Sequence, residues 1–190
     1  MKPTDFENPW QTVASRAVYE NAWIAVREDR VVRPDGRPGI YGVVHFKHRA
    51  VGVLAVEDRH LYLVGQYRYT LDAYSWEIPE GGCTEDEDPL EAAKRELEEE
   101  TGLRAERWER LGEAHLSNSV SDEQAIWFLA TGLRQGACSP EGTEKLLLRR
   151  VSLDEALELA LKGDITDAIS LLAIFQYAGR VKGCWPAAGP

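Results

Sequence analysis

The stretch AAKRELEEETGL, residues 92–103, sets Glu96, Glu98, Glu99 and Glu100 in the closing turns of a predicted helix. A helix C-terminus carries partial negative charge, so four carboxylates there are opposed by the dipole and by one another. At about 100° per residue, Glu99 and Glu100 flank Glu96 on one face and Glu98 points away. Ala92 and Ala93 keep that face small next to Glu96. Three carboxylates near one point repel unless they are protonated or bridged by a cation. Hard oxygen donors of this kind suit Mg²⁺ or Mn²⁺, which retain waters and bind substrate phosphates. The plain alternative is a solvated acidic helix face.

The elements that must hold these residues are legible around them. Asp88 is an N-cap, Pro89 the first helical residue and Glu91 the end of a capping box; Gly102 is the C-terminal stop. Leu90, Ala93 and Leu97 form the stripe to be buried. Before the helix, SWEIP (75–79) reads as a short strand and EGGCTEDED (80–88) as a loop. Residues 1–15 read as irregular. The alternation in 17–47 about the turn PDGRPG predicts an antiparallel hairpin. Residues 50–58, 60–70, 107–116, 123–133 and the end of 141–151 are further predicted strands. Residues 152–164 form a helix opened by a second capping box, Ser152 and Glu155, and 166–180 form a third helix. The expected fold is α+β, helices packed on a largely antiparallel sheet.

The bulk numbers exclude some classes. A net charge of −10 over 190 residues argues against binding nucleic acid or a membrane surface through a basic face. Cys83, Cys138 and Cys184 have no zinc spacing and no complete disulfide pairing. The beginning MKPTDFENPW lacks an apolar core, and no run is long enough to span a bilayer. A cytoplasmic location is expected.

From Gly81 to Leu103 the chain reads GGCTEDEDPLEAAKRELEEETGL. This resembles the Nudix box, G-x5-E-x7-R-E-U-x-E-E-x-G-U with U aliphatic, at every defining position. The resemblance implies an α/β/α sandwich around a mixed sheet and metal-dependent hydrolysis of a nucleoside diphosphate linked to another moiety. It implies Glu96 and Glu100 as principal metal ligands, Glu99 beside them, and the backbone carbonyl of Glu80 as a further one. Arg95 is expected to pair with Glu87 or a neighbouring carboxylate, and Gly81 and Gly82 to let the loop approach metal and phosphates. The base that takes the proton from water lies in the box or downstream. Glu144 is preferred, with Glu141 and Glu99 the other candidates.

Two flanks resemble the branch of ADP-ribose pyrophosphatases and nucleoside-diphosphate-sugar hydrolases. SWEIPEGG and GQYRY (65–69) place Arg68 where that branch meets a phosphate. HLSNSVSDEQAIWFLA (115–130) resembles its S-P-G-x-S-D-E stretch, except that Asn118 stands where ADP-ribose enzymes carry proline. That departure widens the expected substrate to ADP-ribose or GDP-mannose types, with Asn118 and Glu123 near the site. Trp10, Trp23 and Trp108 are available to stack on a base, and none is assigned that role. The branch implies a homodimer, with residues 1–48 as an N-terminal hairpin and dimerisation element, 49–180 as the catalytic domain and 181–190 as a tail. Two other readings stay open: a nucleotide-sensing module without catalysis, and a pyrophosphohydrolase of dinucleoside polyphosphates or capped RNA.

Overall fold

The computed structural model describes residues 7–136 and 146–184. The chain divides into two compact units, one of residues 1–48 with 115–123, the other of 49–114 with 124–190.

The first unit is a three-stranded antiparallel sheet, β1 (Gln11–Glu20), β2 (Ile24–Val32) and β3 (Pro38–Phe46), in the order β1-β2-β3. The expected hairpin is therefore a meander, because part of the segment read as irregular is a strand. β1 escapes notice because nine of its ten residues are exposed, so burial imposes no alternation. Segment 115–123 is clasped to β3. Val44 donates its amide to the Val120 carbonyl (2.9 Å) and the Tyr41 hydroxyl donates to the Ser119 carbonyl (2.7 Å). Asp122 accepts from the Phe46 amide at 2.9 Å and sits 2.6 Å from His45 Nδ1.

The second unit is a mixed sheet between helices. Its strands are β4 (Arg49–Glu57), β5 (His60–Arg68), β6 (Ala73–Glu77), β7 (Glu80–Cys83), β8 (Leu103–His115), β9 (Gln124–Gln135) and β10 (Leu147–Ser152). The helices are α1 (Pro89–Thr101), α2 (Leu153–Lys162) and α3 (Ala168–Val181). The strand order is β10-β5-β4-β9-β8, with β6 on β5 and β7 on β4. β4 runs parallel to β9 from Ala50↔Ala125 to Val56↔Thr131, which makes the sheet mixed.

The sheet forks between β4 and β5. Only Val56 and Glu57 pair with β5, whereas residues 49–52 pair with β7. Between them the Val53 amide donates to the Pro79 carbonyl at 2.8 Å. The stretch 80–83, read from sequence as loop, is thus a strand. Two glycines in four residues conceal it, since its pairing with β4 needs only backbone. Ile78 and Pro79 turn the chain across the fork from β6 on β5 to β7 on β4.

Alternate residues of β4 face opposite layers. Val51, Val53 and Ala55 pack with Ala92, Ala93 and Leu97 of α1 and with Phe128 of β9. On the other face, Gly52 lies beneath Ile169 of α3. Each fully buried aliphatic such as Leu97 contributes about 1.5–3 kcal/mol. The helices begin as their sequences predict: the Asp88 carboxylate accepts from the Leu90 and Glu91 amides, and Ser152 Oγ from the Glu155 amide. The two box glutamates pair with nearby cations, Glu91 with Lys94 at 2.7 Å and Glu155 with Arg149 at 2.6 Å.

Candidate active site

α1 brings the acidic cluster to the fork. Gly102, at φ 68°, ends the helix and its amide donates to the Glu98 carbonyl. Glu96 and Glu100 lie on the buried side with Ala92, Ala93 and Leu97, whereas Glu98 turns outward to Arg104 at 2.7 Å. Glu100 Oε2 accepts from the Glu80 amide at 2.9 Å. The Glu96 carboxyl lies so close over Gly81 that a Cβ there would overlap it. Two carboxylates one helical turn apart thus meet the backbone of β7 at the mouth of the fork.

Arg95 ties this helix to the preceding segment. It donates to Glu87 through Nε and Nη2 (3.2 Å each), to the Gly82 carbonyl (2.8 Å), to Glu96 (2.6 Å) and to Glu99 (3.0 Å). The Glu87 hydrogen bond, against the opposing effect of burial, holds its guanidinium pKa above the ordinary value. The cation stays charged and offsets part of the repulsion among the glutamates.

A second charged group fills the β5–β6 side. Arg68 donates through Nε to both Glu77 oxygens at 3.0 Å, and through Nη2 to Glu77 at 2.5 Å and Glu80 at 2.7 Å. Burial works to lower its pKa, and the Glu77 hydrogen bond together with the charges of Glu77, Glu80 and Asp167 raises it. Among the described residues its Nη1 has no partner, which leaves one corner of the guanidinium to a ligand. The Glu80 carboxyl is pushed well above the usual carboxylate range, first by burial and then by Asp167 and Glu77, with Arg68 opposing. Its Oε2 is buried without a hydrogen-bond partner among the described residues. Asp167 caps α3 by accepting from the Ser170 amide (2.7 Å), and Ser170 Oγ accepts from the Ile78 amide (2.8 Å), so α3 is fastened to the fork. A cavity of about 360 Å³ lies among Arg68, Ser75, Glu77, Glu80 and Asp167.

Among the described residues no three Asp, Glu, His or Cys side chains stand gathered as a metal cage. Glu96 and Glu99 are drawn to Arg95, and Glu100 to the Glu80 amide. The donor set nevertheless fits a hard divalent cation. It offers only oxygens, in a cradle that a side chain at position 81 would fill.

The structure therefore brings Arg68, Glu80, Gly81, Gly82, Arg95, Glu96, Glu99 and Glu100 together around the fork. Asn118, exposed, and Glu123, half-buried, belong to the first unit. Glu141 and Glu144 lie outside the described residues, as does Cys138. Trp108 is packed against Phe128 and Trp10 against Tyr41, while Trp23 is exposed. Sequence reading passed over Glu77 and Asp167. The signal for Glu77 was its two-residue offset from Ser75 on a strand facing Arg68; Asp167 carries only the ordinary mark of a helix cap.

A helix of spaced glutamates set against a glycine-bearing strand in a forked mixed sheet, with helices on both faces, defines a class of phosphoanhydride hydrolase. The NUDIX domain family matches residues 46–172, and the nucleoside diphosphate sugar hydrolase N-terminal domain matches residues 10–44. The chain belongs to the Nudix family and is a Nudix pyrophosphatase. It is 33% identical over 174 residues to an ADP-ribose pyrophosphatase of Mycobacterium tuberculosis, covering 88% of this chain and 83% of that one. It is 31% identical over 170 residues to a methanol dehydrogenase activator of Bacillus methanolicus, covering 88% and 91%. Among solved structures, an ADP compounds hydrolase superposes with a TM-score of 0.85 at 21% identity, covering 95% of this chain and 98% of that one, a likeness of fold.

Proposed function

We infer that the protein hydrolyses the pyrophosphate bond of a nucleoside diphosphate sugar, of the ADP-ribose or GDP-mannose type, to a nucleoside monophosphate and a sugar phosphate. The observation that carries this reading is the convergence of Glu96 and Glu100 on the Glu80–Gly81 backbone, with the guanidinium of Arg68 across the fork. The similarity to an ADP-ribose pyrophosphatase supports the substrate class. Glu96 and Glu100, with Glu99 and the Glu80 carbonyl, would hold Mg²⁺, for which Mn²⁺ can substitute. The chemistry such a cation would supply there is neutralisation of diphosphate oxygens and a lowered pKa of a water. Arg68 is held rigid by Glu77 and takes a phosphate oxygen on its free corner. Arg95 keeps the helix and the Gly82 segment in register. Glu144 is the preferred proton acceptor, with Glu141 and Glu99 as alternatives. Asn118, with hydrogen-bonding groups that proline lacks, is assigned to substrate binding, and Glu123 is a further acid assigned to the same role.

No helix among the described residues is long and apolar enough to cross a membrane, and we place the enzyme in the cytoplasm. We also infer a homodimer built through the N-terminal sheet, on which Val13, Val18 and Ile40 are exposed, with Trp23 exposed in the turn between β1 and β2. Light scattering of the full chain tests that assembly. The function is tested by incubating ADP-ribose, GDP-mannose, UDP-glucose, NADH and diadenosine polyphosphates with Mg²⁺ or Mn²⁺ and identifying products by mass. Release of a nucleoside monophosphate and a sugar phosphate is expected. Turnover of the dinucleoside polyphosphates alone would overturn the reading.

A further inference from the structure

We propose that the cavity beside Arg68 seats the sugar ring, and that Asp167 makes it select neutral polyols over anionic ones; this rests on the nucleotide-sugar reading above. The cavity has two walls. One is the β5–β6 hairpin with Thr70, Leu71 and Ser75, and the other is the start of α3 with Thr166 and Asp167. Its volume of about 360 Å³ is at the lower end for small-molecule sites, enough for one pentose or hexose ring but not for a nucleoside as well.

The chemistry of the walls decides what enters. One cation, Arg68, stands among the carboxyl groups of Glu77, Glu80 and Asp167. Glu77 and Glu80 already accept from Arg68, so the guanidinium is largely engaged before any ligand arrives. A phosphate can reach only its free corner, and a second anion deeper in the cavity would meet carboxyl groups and, among the described residues that line it, no further cation. Hydroxyl groups face the opposite situation. Thr70, Ser75 and Thr166 each offer a donor and acceptors. Asp167 spends Oδ2 on the Ser170 amide, and among the described residues Oδ1 has no partner. A carboxylate oxygen and three hydroxyls lining one cavity match an uncharged ring rich in O–H donors.

Asp167 is also rigidly placed. It is the first anchor of α3, and that helix is pinned to the Ile78 amide through Ser170. Side chains held by a cap and a second hydrogen bond discriminate better than those on a free loop. Leu71 stands mostly exposed at the rim, where it shields one edge of a bound ring.

The test compares kcat/KM of the full-length protein for ADP-glucose and ADP-glucuronate, which share nucleoside, diphosphate and ring and differ by one carboxylate. Wild-type protein is expected to prefer ADP-glucose. Asp167→Asn retains an N-cap acceptor and removes the charge; it should cut that preference about tenfold, chiefly through a lower KM for the uronate. Asp167→Ser, also a good cap, should act in the same direction if the first variant folds poorly. An equal loss on both substrates assigns Asp167 to the helix cap alone and overturns the proposal, as does an unchanged preference or none in wild type. Cleavage of other diphosphates with neither conjugate touched defeats the nucleotide-sugar reading itself, and the sugar pocket with it.

Discussion

Glu96 and Glu100 answer the electrostatic puzzle of α1 one residue at a time. Both are buried, which is costly for a carboxylate, and neither is there to pack. Their compensation is local: Arg95 for Glu96 and the Glu80 amide for Glu100. Exchanging either for glutamine keeps size and hydrogen-bonding shape but removes a negative charge. Glu96→Gln and Glu100→Gln should each lower kcat by ~10²–10⁴ in a steady-state assay, with folding intact by circular dichroism. Glu98 is the internal control. It shares the acidic run but pairs with the exposed Arg104. Glu98→Gln should change stability or activation energy by less than ~0.5 kcal/mol, read by urea titration and kcat/KM. A loss like that of Glu100→Gln would place Glu98 in the site and refute the phase of the helix.

At the scale of elements, what was legible depended on whether side chains or backbone carried the signal. Helices announce themselves through caps and periodic burial, so α1, α2 and α3 follow from Asp88, Ser152 and their apolar stripes. Asp88→Ala should cost about 1 kcal/mol of stability, measured as a lower urea midpoint at unchanged slope. Strands β1 and β7 were not legible. β1 has too little burial to impose alternation, and β7 is held by backbone pairing around Gly81 and Gly82. The box motif made the glutamates legible, yet nothing in their spacing reports that β7 wedges between β4 and β5. Gly81→Ala tests this wedge. Its new methyl group would overlap the Glu96 carboxyl, so that side chain or the strand must shift. A fall in kcat of ~10² or more is expected, with KM changed much less, because a misplacement near 1 Å suffices for such a loss. Wild-type kcat in Gly81→Ala would show that Glu96 need not lie on that backbone.

Over the whole molecule, the least legible feature is that residues 115–123 leave one unit to join another. Linear order places them between β8 and β9, and no local pattern in HLSNSVSDE marks a partner some 77 residues away. Asp122 is the residue that makes the join specific. Burial works to raise its pKa, but hydrogen bonds from His45 and from the Phe46 amide outweigh this and hold it below the ordinary value. The sign of the linkage follows. A carboxylate with a depressed native pKa contributes stability that is fully present above its unfolded pKa, about 3.9, and is lost as pH falls through the native value. The contribution of the Asp122 carboxylate to the clasp should therefore be intact above about pH 5 and be lost only in stronger acid. Asp122→Ala should loosen it at every pH, since the Phe46 amide loses its acceptor and the neighbouring Val44–Val120 and Asp122–Val44 hydrogen bonds lose their anchor. Hydrogen exchange read by NMR at neutral pH should show the amides of Val44, Phe46 and residue 122 exchanging more than ~10-fold faster in the variant, while those of Val53 and Leu97 in the second unit keep wild-type protection. Faster exchange throughout the second unit would instead mean that the two units open as one cooperative body. Unchanged exchange at Phe46 would mean that the paired backbone, not Asp122, holds the segment on β3.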